Sequence, residues 1–190
     1  MPKDLLIVYA TREGHTHRIA EHLAATARAR GRDADVIDAA HVPETLSIDS
    51  YAAAIVTGSV HLGKHEKELA AFVRDHKDAL ERMPAVFLSV SLSEAGVEDA
   101  HKTPAQREKA AEDVQRMIRD FLHATGWRPS KVRAAAGALT YSKYNFLVRF
   151  VMKQIARSQG AGTDTSRDYE YTDWEALDRL VDEVIPQAGS

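Results

Sequence analysis

The chain has 190 residues, of which 44% are hydrophobic and 28% are charged, with a net charge of −3 and no cysteine. This length suits one domain with a sizeable core, and the composition is typical of a water-soluble globular protein. Without cysteine there can be no disulfide, no thiolate-bound iron–sulfur cluster and no cysteine nucleophile, so redox chemistry would need a bound cofactor.

Neither a membrane-spanning segment nor a signal peptide is visible in the sequence. No stretch has the about 18 uninterrupted apolar residues that a spanning helix needs. The N-terminus runs directly into an apolar strand, without the charged, apolar and small-residue zones of an export signal. We therefore expect a cytoplasmic location.

Charge is distributed unevenly along the chain. Between Asp120 and Asp164 there are seven basic residues and no acidic one, so this stretch carries +7 and the remainder carries −10. The seven are Arg128, Lys131, Arg133, Lys143, Arg149, Lys153 and Arg157. The asymmetry predicts one basic surface on an otherwise acidic body, suited to a membrane, a nucleic acid or an anionic small molecule.

Apolar runs and helical patterns alternate along the chain. Five apolar runs are predicted strands, at residues 5–10, 34–37, 51–57, 86–90 and 132–139. Helices are predicted from the apolar periodicity of residues 19–27, 69–73 and 105–124. A last helix is predicted to begin at a capping box of Thr172 and Glu175. Such alternation forms parallel βαβ units, which predicts a doubly wound α/β sheet in a single domain over residues 1–190.

One element does not fit this simple pattern. A basic helix is predicted at about residues 144–158, within an insertion at about 140–166 before the last helix. Arg149, Lys153 and Arg157 share one stripe of it, opposite a broad apolar face. Two interpretations stay open: the helix lies in a bilayer interface, or it packs on the domain's own core with a solvated basic edge.

The loop after the first predicted strand has a T-x-x-G-x-T pattern and leads into a helix. Its residues are Thr11, Arg12, Glu13, Gly14, His15 and Thr16. Threonine hydroxyls, backbone N–H groups and the helix N-terminus can surround a phosphate, and the glycine permits a close approach. The alternative is an ordinary polar loop in which Thr16 caps the helix. The G-x-G-x-x-G and P-loop patterns are absent, which disfavours dinucleotide and P-loop sites.

Two further loops are predicted at the same edge of the sheet, after the third and fourth strands. The second loop contains Gly58, Ser59, Val60, His61, Leu62 and Gly63, and the third contains Ser89, Val90, Ser91, Leu92 and Ser93. Small hydroxyl side chains and apolar residues suit the edge and faces of a flat heteroaromatic ring, although each loop taken alone is also an ordinary connection.

These loops resemble the FMN site of flavodoxins, and longer blocks of sequence give a more specific resemblance. The blocks, spread over residues 8–174, are Y-A-T-R-E-G-H-T, G-S-V-H-L-G-K-H, M-P-A-V-F-L-S-V-S-L, G-A-L-T-Y-S-K-Y and G-A-G-T-D-T-S-R-D-Y-E-Y-T-D-W. They are similar to the flavodoxin-like, menaquinone-dependent protoporphyrinogen IX dehydrogenases of bacterial haem synthesis. The resemblance implies a five-stranded sheet of order 2-1-3-4-5, FMN held by the three loops, and electrons passed from protoporphyrinogen IX to menaquinone or ubiquinone.

The resemblance also implies partners for the basic segment. Because the electron acceptor of that family is a lipid quinone, it favours peripheral contact of the helix at about 144–158 with the inner face of the cell membrane. Protoporphyrinogen carries two propionates, which arginine and lysine bind well. Candidate substrate-binding residues are Tyr141, Lys143, Tyr144 and Arg149.

Three other functions stay open for such a fold: an electron-carrier flavodoxin, a flavin-dependent NAD(P)H–quinone reductase and a flavin-free binding module. The +7 segment disfavours the carrier, and no nicotinamide pocket is recognisable. The second and third loops contain no tryptophan or tyrosine, so an unstacked flavin face would admit a substrate. His61 is a candidate proton relay, with an inert loop histidine as the alternative.

Metal and nucleic-acid sites are not expected. His61 and His65 have i, i+4 spacing, but the sequence implies no third ligand. The overall acidity and the lack of a known nucleic-acid module argue against DNA or RNA as a partner. No serine stands in a G-x-S-x-G pattern, so an esterase triad has no support.

Overall fold

The computed structural model describes residues 3–139 and 169–185. The strands are β1 (Lys3–Ala10), β2 (Ala34–Asp38), β3 (Tyr51–His61), β4 (Lys64–His65), β5 (Ala85–Ser91), β6 (Lys131–Ala136), β7 (Ala138–Leu139) and β8 (Tyr169–Glu170). The helices are α1 (His15–Ala29), α2 (Lys67–Leu80), α3 (Leu92–Glu98), α4 (Pro104–Thr125) and α5 (Trp174–Val184), with a short 3₁₀ turn at Ile48–Ser50.

The central sheet is parallel and has the order β2-β1-β3-β5-β6. When these five strands are counted in chain order, the order is 2-1-3-4-5, so the predicted doubly wound sheet is confirmed. The short β4 adds an antiparallel partner to β3, and β7 and β8 form a separate antiparallel pair. The single-domain prediction for residues 1–190 stays a prediction, and the insertion predicted at about 140–166 lies outside the described part of the chain.

Both faces of the sheet are covered, which explains the continuous apolar runs. In β1, Leu5 and Ile7 pack with residues of α1 and α5, whereas Leu6 and Val8 pack with residues of α2 and α4. Successive strand residues point to opposite faces, so a strand between two helical layers needs apolar residues at every position. All four of these side chains are fully buried.

Helix ends follow their local sequence, with one correction at α5. Thr103 and Gln106 form a capping box at the start of α4, and Gly126 ends it in the left-handed conformation at φ 67°. The capping box predicted at Thr172 is wrong. Asp173 caps α5 by accepting a hydrogen bond from the Ala176 N–H at 3.0 Å.

The predicted ends of three strands also need correction. β3 does not stop at Gly58 but continues to His61 and turns back into β4, so the second predicted loop is a β-hairpin. β5 continues to Ser91 and passes directly into α3, so the third predicted loop is the junction of a strand and a helix. The fifth predicted strand is divided at Gly137, whose N–H donates to the Ser91 carbonyl at 3.0 Å.

A buried tyrosine and a lysine share one carboxylate at the end of the sheet opposite to the candidate site. The Tyr51 hydroxyl donates to Asp35 Oδ2 at 2.6 Å, and Lys3 Nζ donates to the same oxygen at 2.6 Å. The hydrogen bonds from Lys3 and Tyr51 lower the pKa of the Asp35 carboxyl. Because the folded-state pKa lies below the unfolded value, this stabilisation is present above the unfolded pKa and is lost as the pH falls through the folded one.

We expect Tyr51→Phe to lower the free energy of unfolding by about 1–2 kcal/mol at neutral pH, because it removes a hydrogen bond to a charged group that is only partly shielded from water. Below about pH 4 the loss should shrink as Asp35 becomes protonated. Urea unfolding of both proteins across this pH range measures the difference. In an Asp35→Asn background the cost of Tyr51→Phe should no longer depend on pH. An equal loss at all pH values would contradict the assignment.

Candidate functional site

A cavity of about 50 Å³ lies at the carboxyl ends of the parallel strands, and we call it the loop cavity. Ten predicted site residues, drawn from all three predicted loops, line it: Thr11, Glu13, His15, Thr16, Ser59, Val60, His61, Val90, Ser91 and Leu92. Gly137 and Ala138 complete the lining. Segments far apart in the sequence thus meet at one edge of the sheet, as expected for a doubly wound fold.

A second cavity, of about 170 Å³, adjoins the β3–β4 hairpin, and we call it the hairpin cavity. It is lined by Val60, His61, Leu62, Gly63, Ser91, Leu92 and Ser93, and by Asp113, Arg116 and Met117 of α4. Val60, His61, Ser91 and Leu92 also line the loop cavity, so the two cavities share a wall. The three α4 residues are absent from the sequence prediction.

The first predicted loop folds into a tight turn at the start of α1. Gly14 is the N-cap residue in the left-handed conformation, at φ 89°, and its N–H donates to Thr11 Oγ1 at 2.9 Å. No side chain caps the helix, so the alternative interpretation, in which Thr16 caps it, is wrong. The first N–H groups of a helix lack intrahelical acceptors and carry partial positive charge, so this terminus suits an anion.

Three buried hydroxyl groups, at the start of α1 and near the end of β3, have no hydrogen-bond partner among the described residues. They belong to Thr16, Thr57 and Ser59. Thr57 and Ser59 are two residues apart on β3, so they share the face on which Ala53 and Ile55 pack against α1. Because buried polar groups are almost always satisfied, the hydroxyls of Thr16 and Ser59, which line the loop cavity, indicate a ligand with several hydrogen-bonding oxygens.

Thr57 is a residue that the sequence prediction missed. It is fully buried, at the point where the apolar run of β3 reaches the carboxyl edge of the sheet. A hydroxyl residue that ends an otherwise apolar strand is the signal by which it can be found.

Arg12 binds away from both cavities. Its Nη2 atom lies 3.2 Å from Oε2 of Glu66, the N-cap residue of α2, whose side chain is only 10% exposed. The ion pair therefore joins the first loop to the residue that directly follows the β3–β4 hairpin. Glu66 is a second residue that the sequence prediction missed.

His15 connects the loop to the segment before α5. Its Nε2 atom lies 2.7 Å from the Thr172 hydroxyl, and that hydroxyl donates to the Ala136 carbonyl at 2.8 Å. Because the single hydroxyl proton is used on the carbonyl, the His15 Nε2 atom must carry the proton of the first hydrogen bond. The interaction fixes the imidazole tautomer and explains why Thr172 does not cap α5.

His65 supports the hairpin from beneath. Its ring packs against both Phe87 and Phe121, with centroid distances of 5.1 and 5.0 Å, and its Nε2 atom lies 2.9 Å from Ser89 Oγ. Burial lowers the pKa of His65 to about 4, so the imidazole is neutral at pH 7. Ser89 is engaged in this contact and, like Gly58, lines neither cavity.

Close packing explains the glycine at position 58. A Cβ atom there would approach Leu69 Cδ2 of α2 to 2.5 Å. Gly58 therefore allows β3 and α2 to approach each other beneath the site.

The two histidines of the hairpin lie on opposite faces. His65 pairs across the strands with Val60, and His61 pairs with Lys64. Cross-strand partners share a face and neighbouring residues alternate, so His61 and His65 point apart. Within residues 3–139 and 169–185, no three histidine, cysteine or acidic side chains are grouped to hold a metal ion.

The predicted substrate residues Tyr141, Lys143, Tyr144 and Arg149 and the predicted helix at 144–158 lie outside the described residues. In the part of the chain that the structure covers, none of the helices has the length and apolar character to cross a bilayer.

A doubly wound parallel sheet whose five strands have the order 2-1-3-4-5 defines a flavodoxin-like fold. The family described as Flavodoxin domain matches residues 6–166, and the chain belongs to this family. Among curated proteins, the chain is similar to the protoporphyrinogen IX dehydrogenase (quinone) of Escherichia coli strain K12, at 31% identity over 179 residues, covering 94% of this chain and 93% of the relative. The Leishmania major protein of the same name is 30% identical over 180 residues, covering 93% of this chain and 72% of the relative.

Solved structures to which the chain is similar include a cysteine-to-serine mutant of the flavodoxin from Pseudomonas aeruginosa. Its TM-score is 0.48 at 14% identity, with 82% of this chain and 96% of that chain covered. The rubredoxin oxygen:oxidoreductase of Desulfovibrio gigas gives a TM-score of 0.47 at 13% identity, covering 94% of this chain and 34% of that one.

The unpartnered Thr57 hydroxyl should lower the stability of the ligand-free protein. Thr57→Val keeps the shape of the side chain and removes a buried group without a partner, so it should leave the free energy of unfolding unchanged or raise it by about 1 kcal/mol. Thr125→Val is the matched control, because the buried Thr125 hydroxyl donates to the Phe121 carbonyl at 2.9 Å. That variant should be destabilised by about 1 kcal/mol. Equal losses in urea unfolding of the two flavin-free variants would contradict the assignment.

Proposed function

We propose that the chain is an FMN-dependent enzyme that oxidises protoporphyrinogen IX to protoporphyrin IX and passes the electrons to a quinone. The observation that carries the proposal is the pair of unpartnered hydroxyls, of Thr16 and Ser59, that line the loop cavity, in a protein that matches quinone-dependent protoporphyrinogen IX dehydrogenases over almost its whole length. The fold positions a cofactor, and the full-length relatives indicate the reaction.

The residues at the loop cavity fit the phosphate end of FMN. The Gly14 turn, the first N–H groups of α1 and the hydroxyls of Thr16 and Ser59 supply directed hydrogen bonds to phosphate oxygens. When bound, FMN supplies the redox chemistry, taking electrons from the porphyrinogen and giving them to menaquinone or ubiquinone. The chain itself binds and orients both molecules and excludes water.

The wall shared by the two cavities is the place for the flavin ring. Val60 and Leu92 supply apolar contacts there, and His61 faces the same space. No described residue of either lining is aromatic apart from histidine. A flavin ring without an aromatic lid leaves one face open to a second flat molecule, which suits an enzyme better than an electron carrier. His61 is placed to relay a proton between such a molecule and solvent.

Membrane contact through residues 144–158 belongs to the same proposal. The stretch between Asp120 and Asp164 carries +7, and anionic lipids attract clustered lysine and arginine. A quinone dissolved in the bilayer would then meet the flavin at the surface of the membrane. In this arrangement Lys143 and Arg149, with Tyr141 and Tyr144, guide the substrate carboxylates toward the site.

The decisive experiment is an anaerobic half-reaction of the FMN-loaded protein. Adding protoporphyrinogen IX should bleach the flavin absorbance, and adding a soluble quinone should restore it. A flavin that is bleached by NADPH but not by the porphyrinogen identifies a quinone reductase and overturns the proposal. A flavin that neither donor bleaches, but that a protein reductase does, identifies an electron carrier and also overturns it.

A single substitution tests the phosphate assignment. Thr16→Val should weaken FMN binding about tenfold or more, because it removes a hydrogen bond to a charged group. Binding of riboflavin, which has the same ring and no phosphate, should change little. Fluorescence titration of flavin-free protein with both ligands measures the two affinities. Equal weakening for FMN and riboflavin would place Thr16 away from the phosphate.

A further inference from the structure

The hairpin cavity has no role in holding the phosphate end of FMN, yet it shares a wall with the loop cavity. The hairpin and the start of α3 form two of its sides, and the third side is α4. A cavity of about 150 Å³ holds one benzene-sized ring, so about 170 Å³ accommodates one edge of a larger flat molecule. A ligand placed there adjoins the His61 and Leu92 side of the flavin site.

The walls of this cavity combine apolar surface with one fixed cation. Val60, Leu62, Leu92 and Met117 contribute the apolar surface. Arg116 contributes a guanidinium group, which Asp113 holds from one turn away at 2.9 Å. The Asp113 side chain is 17% exposed and the Arg116 side chain 58%, so the carboxylate is the anchor and the guanidinium is the accessible end.

A guanidinium anchored in this way still has donors for a ligand. Arginine carries five N–H donors, and the contact with Asp113 is made by one terminal nitrogen. The remaining donors lie in the plane that matches a second carboxylate. Because Asp113 offsets the charge, the selectivity comes from directed hydrogen bonds more than from net attraction.

Leu62 is a second unusual feature of the same cavity. It occupies the first central position of the β3–β4 turn at φ 49°, followed by Gly63 at φ 77°. Two positive φ angles are the signature of a type I′ turn, in which asparagine, aspartate or glycine is the usual residue. This position nevertheless carries a leucine, and the Leu62 side chain is 74% exposed. The fold gains little from this side chain, whereas an apolar ligand in the cavity would contact it.

We propose that the hairpin cavity binds one carboxylate-bearing edge of the tetrapyrrole substrate, with Arg116 pairing with the carboxylate and Leu62 covering the adjacent ring. Asp113 acts as a positioning residue that holds the guanidinium. The proposal rests on the proposed function and names the site on this side of the flavin at which the substrate is recognised.

The test compares two arginines of α4 with a redox-inert ligand. Protoporphyrin IX and its dimethyl ester are titrated into the FMN-loaded protein, and binding is followed by porphyrin fluorescence. Arg116→Gln should weaken binding of the dicarboxylate about tenfold and leave the diester and FMN unchanged. Arg119→Gln is the matched control, since Arg119 is exposed on the same helix and does not line the cavity. It should leave all three affinities unchanged.

The leucine is tested separately. Leu62→Asn should weaken binding of the dicarboxylate and of the diester alike, because both ligands present the same ring. It should raise the unfolding midpoint of the flavin-free protein by roughly 2–4 °C, since asparagine adopts positive φ more readily.

The inference is overturned if Arg116→Gln binds the dicarboxylate as tightly as the wild type, or if it weakens binding of the diester equally. It is also overturned if Arg119→Gln weakens binding of the dicarboxylate as much as Arg116→Gln does. It also fails if the wild type binds neither porphyrin. These results are distinct from failure of the proposed function, which shows as a wild-type flavin that protoporphyrinogen IX does not bleach. If protoporphyrinogen IX bleaches the wild-type flavin but Arg116→Gln binds the dicarboxylate as tightly as the wild type, the proposed function stands and the hairpin cavity is not the substrate site.

Discussion

A buried hydroxyl group without a hydrogen-bond partner costs a fold about 1–3 kcal/mol, and the described residues bury three of them at the carboxyl edge of the sheet. Thr16, Thr57 and Ser59 come from two different elements, α1 and β3, which the parallel order of the sheet brings together. The same topology places the open N–H groups of α1 beside them. A phosphate that satisfied the Thr16 and Ser59 hydroxyls, which line the loop cavity, would return free energy to the fold, and this would couple cofactor binding to stability.

That coupling extends beyond the first loop through α1. Arg18 lies 3.2 Å from Glu170, and His15 lies 2.7 Å from Thr172, so one side of the helix holds the segment that precedes α5. Further along the same helix, Thr26 donates to Asp178 at 2.7 Å. The helix whose first residues line the loop cavity thus also holds Glu170, Thr172 and Asp178. A movement of the first loop therefore reaches the segment before α5 through direct contacts.

The sequence predicts those parts of the fold that depend on local patterns. The buried stripe of α1 and the continuous apolar run of β1 follow from periodicity, because the polarity of each residue depends on whether a neighbouring helix or the sheet covers it. The β3–β4 hairpin was missed since its turn carries Leu62 where asparagine or glycine is the usual signal. The choice of Asp173 over Thr172 as the cap depends on Ala136 and His15, which are distant in sequence. Arg116 and Asp113 were not predicted for the same reason. The periodicity of their helix indicates which positions are buried, but it does not show that the helix borders a cavity together with the ends of β3 and β5.

The hairpin between the two cavities must hold its shape while ligands bind on either side, and its support from beneath suits that need. His65 is neutral at pH 7 because burial lowers its pKa to about 4, so its packing against Phe87 and Phe121 does not change with physiological pH. His61, on the opposite face, remains in contact with both cavities. The hairpin thus separates a histidine that serves packing from one that lines both cavities. Its Leu62–Gly63 turn carries the backbone strain at the point where a ligand, rather than the fold, would compensate for it.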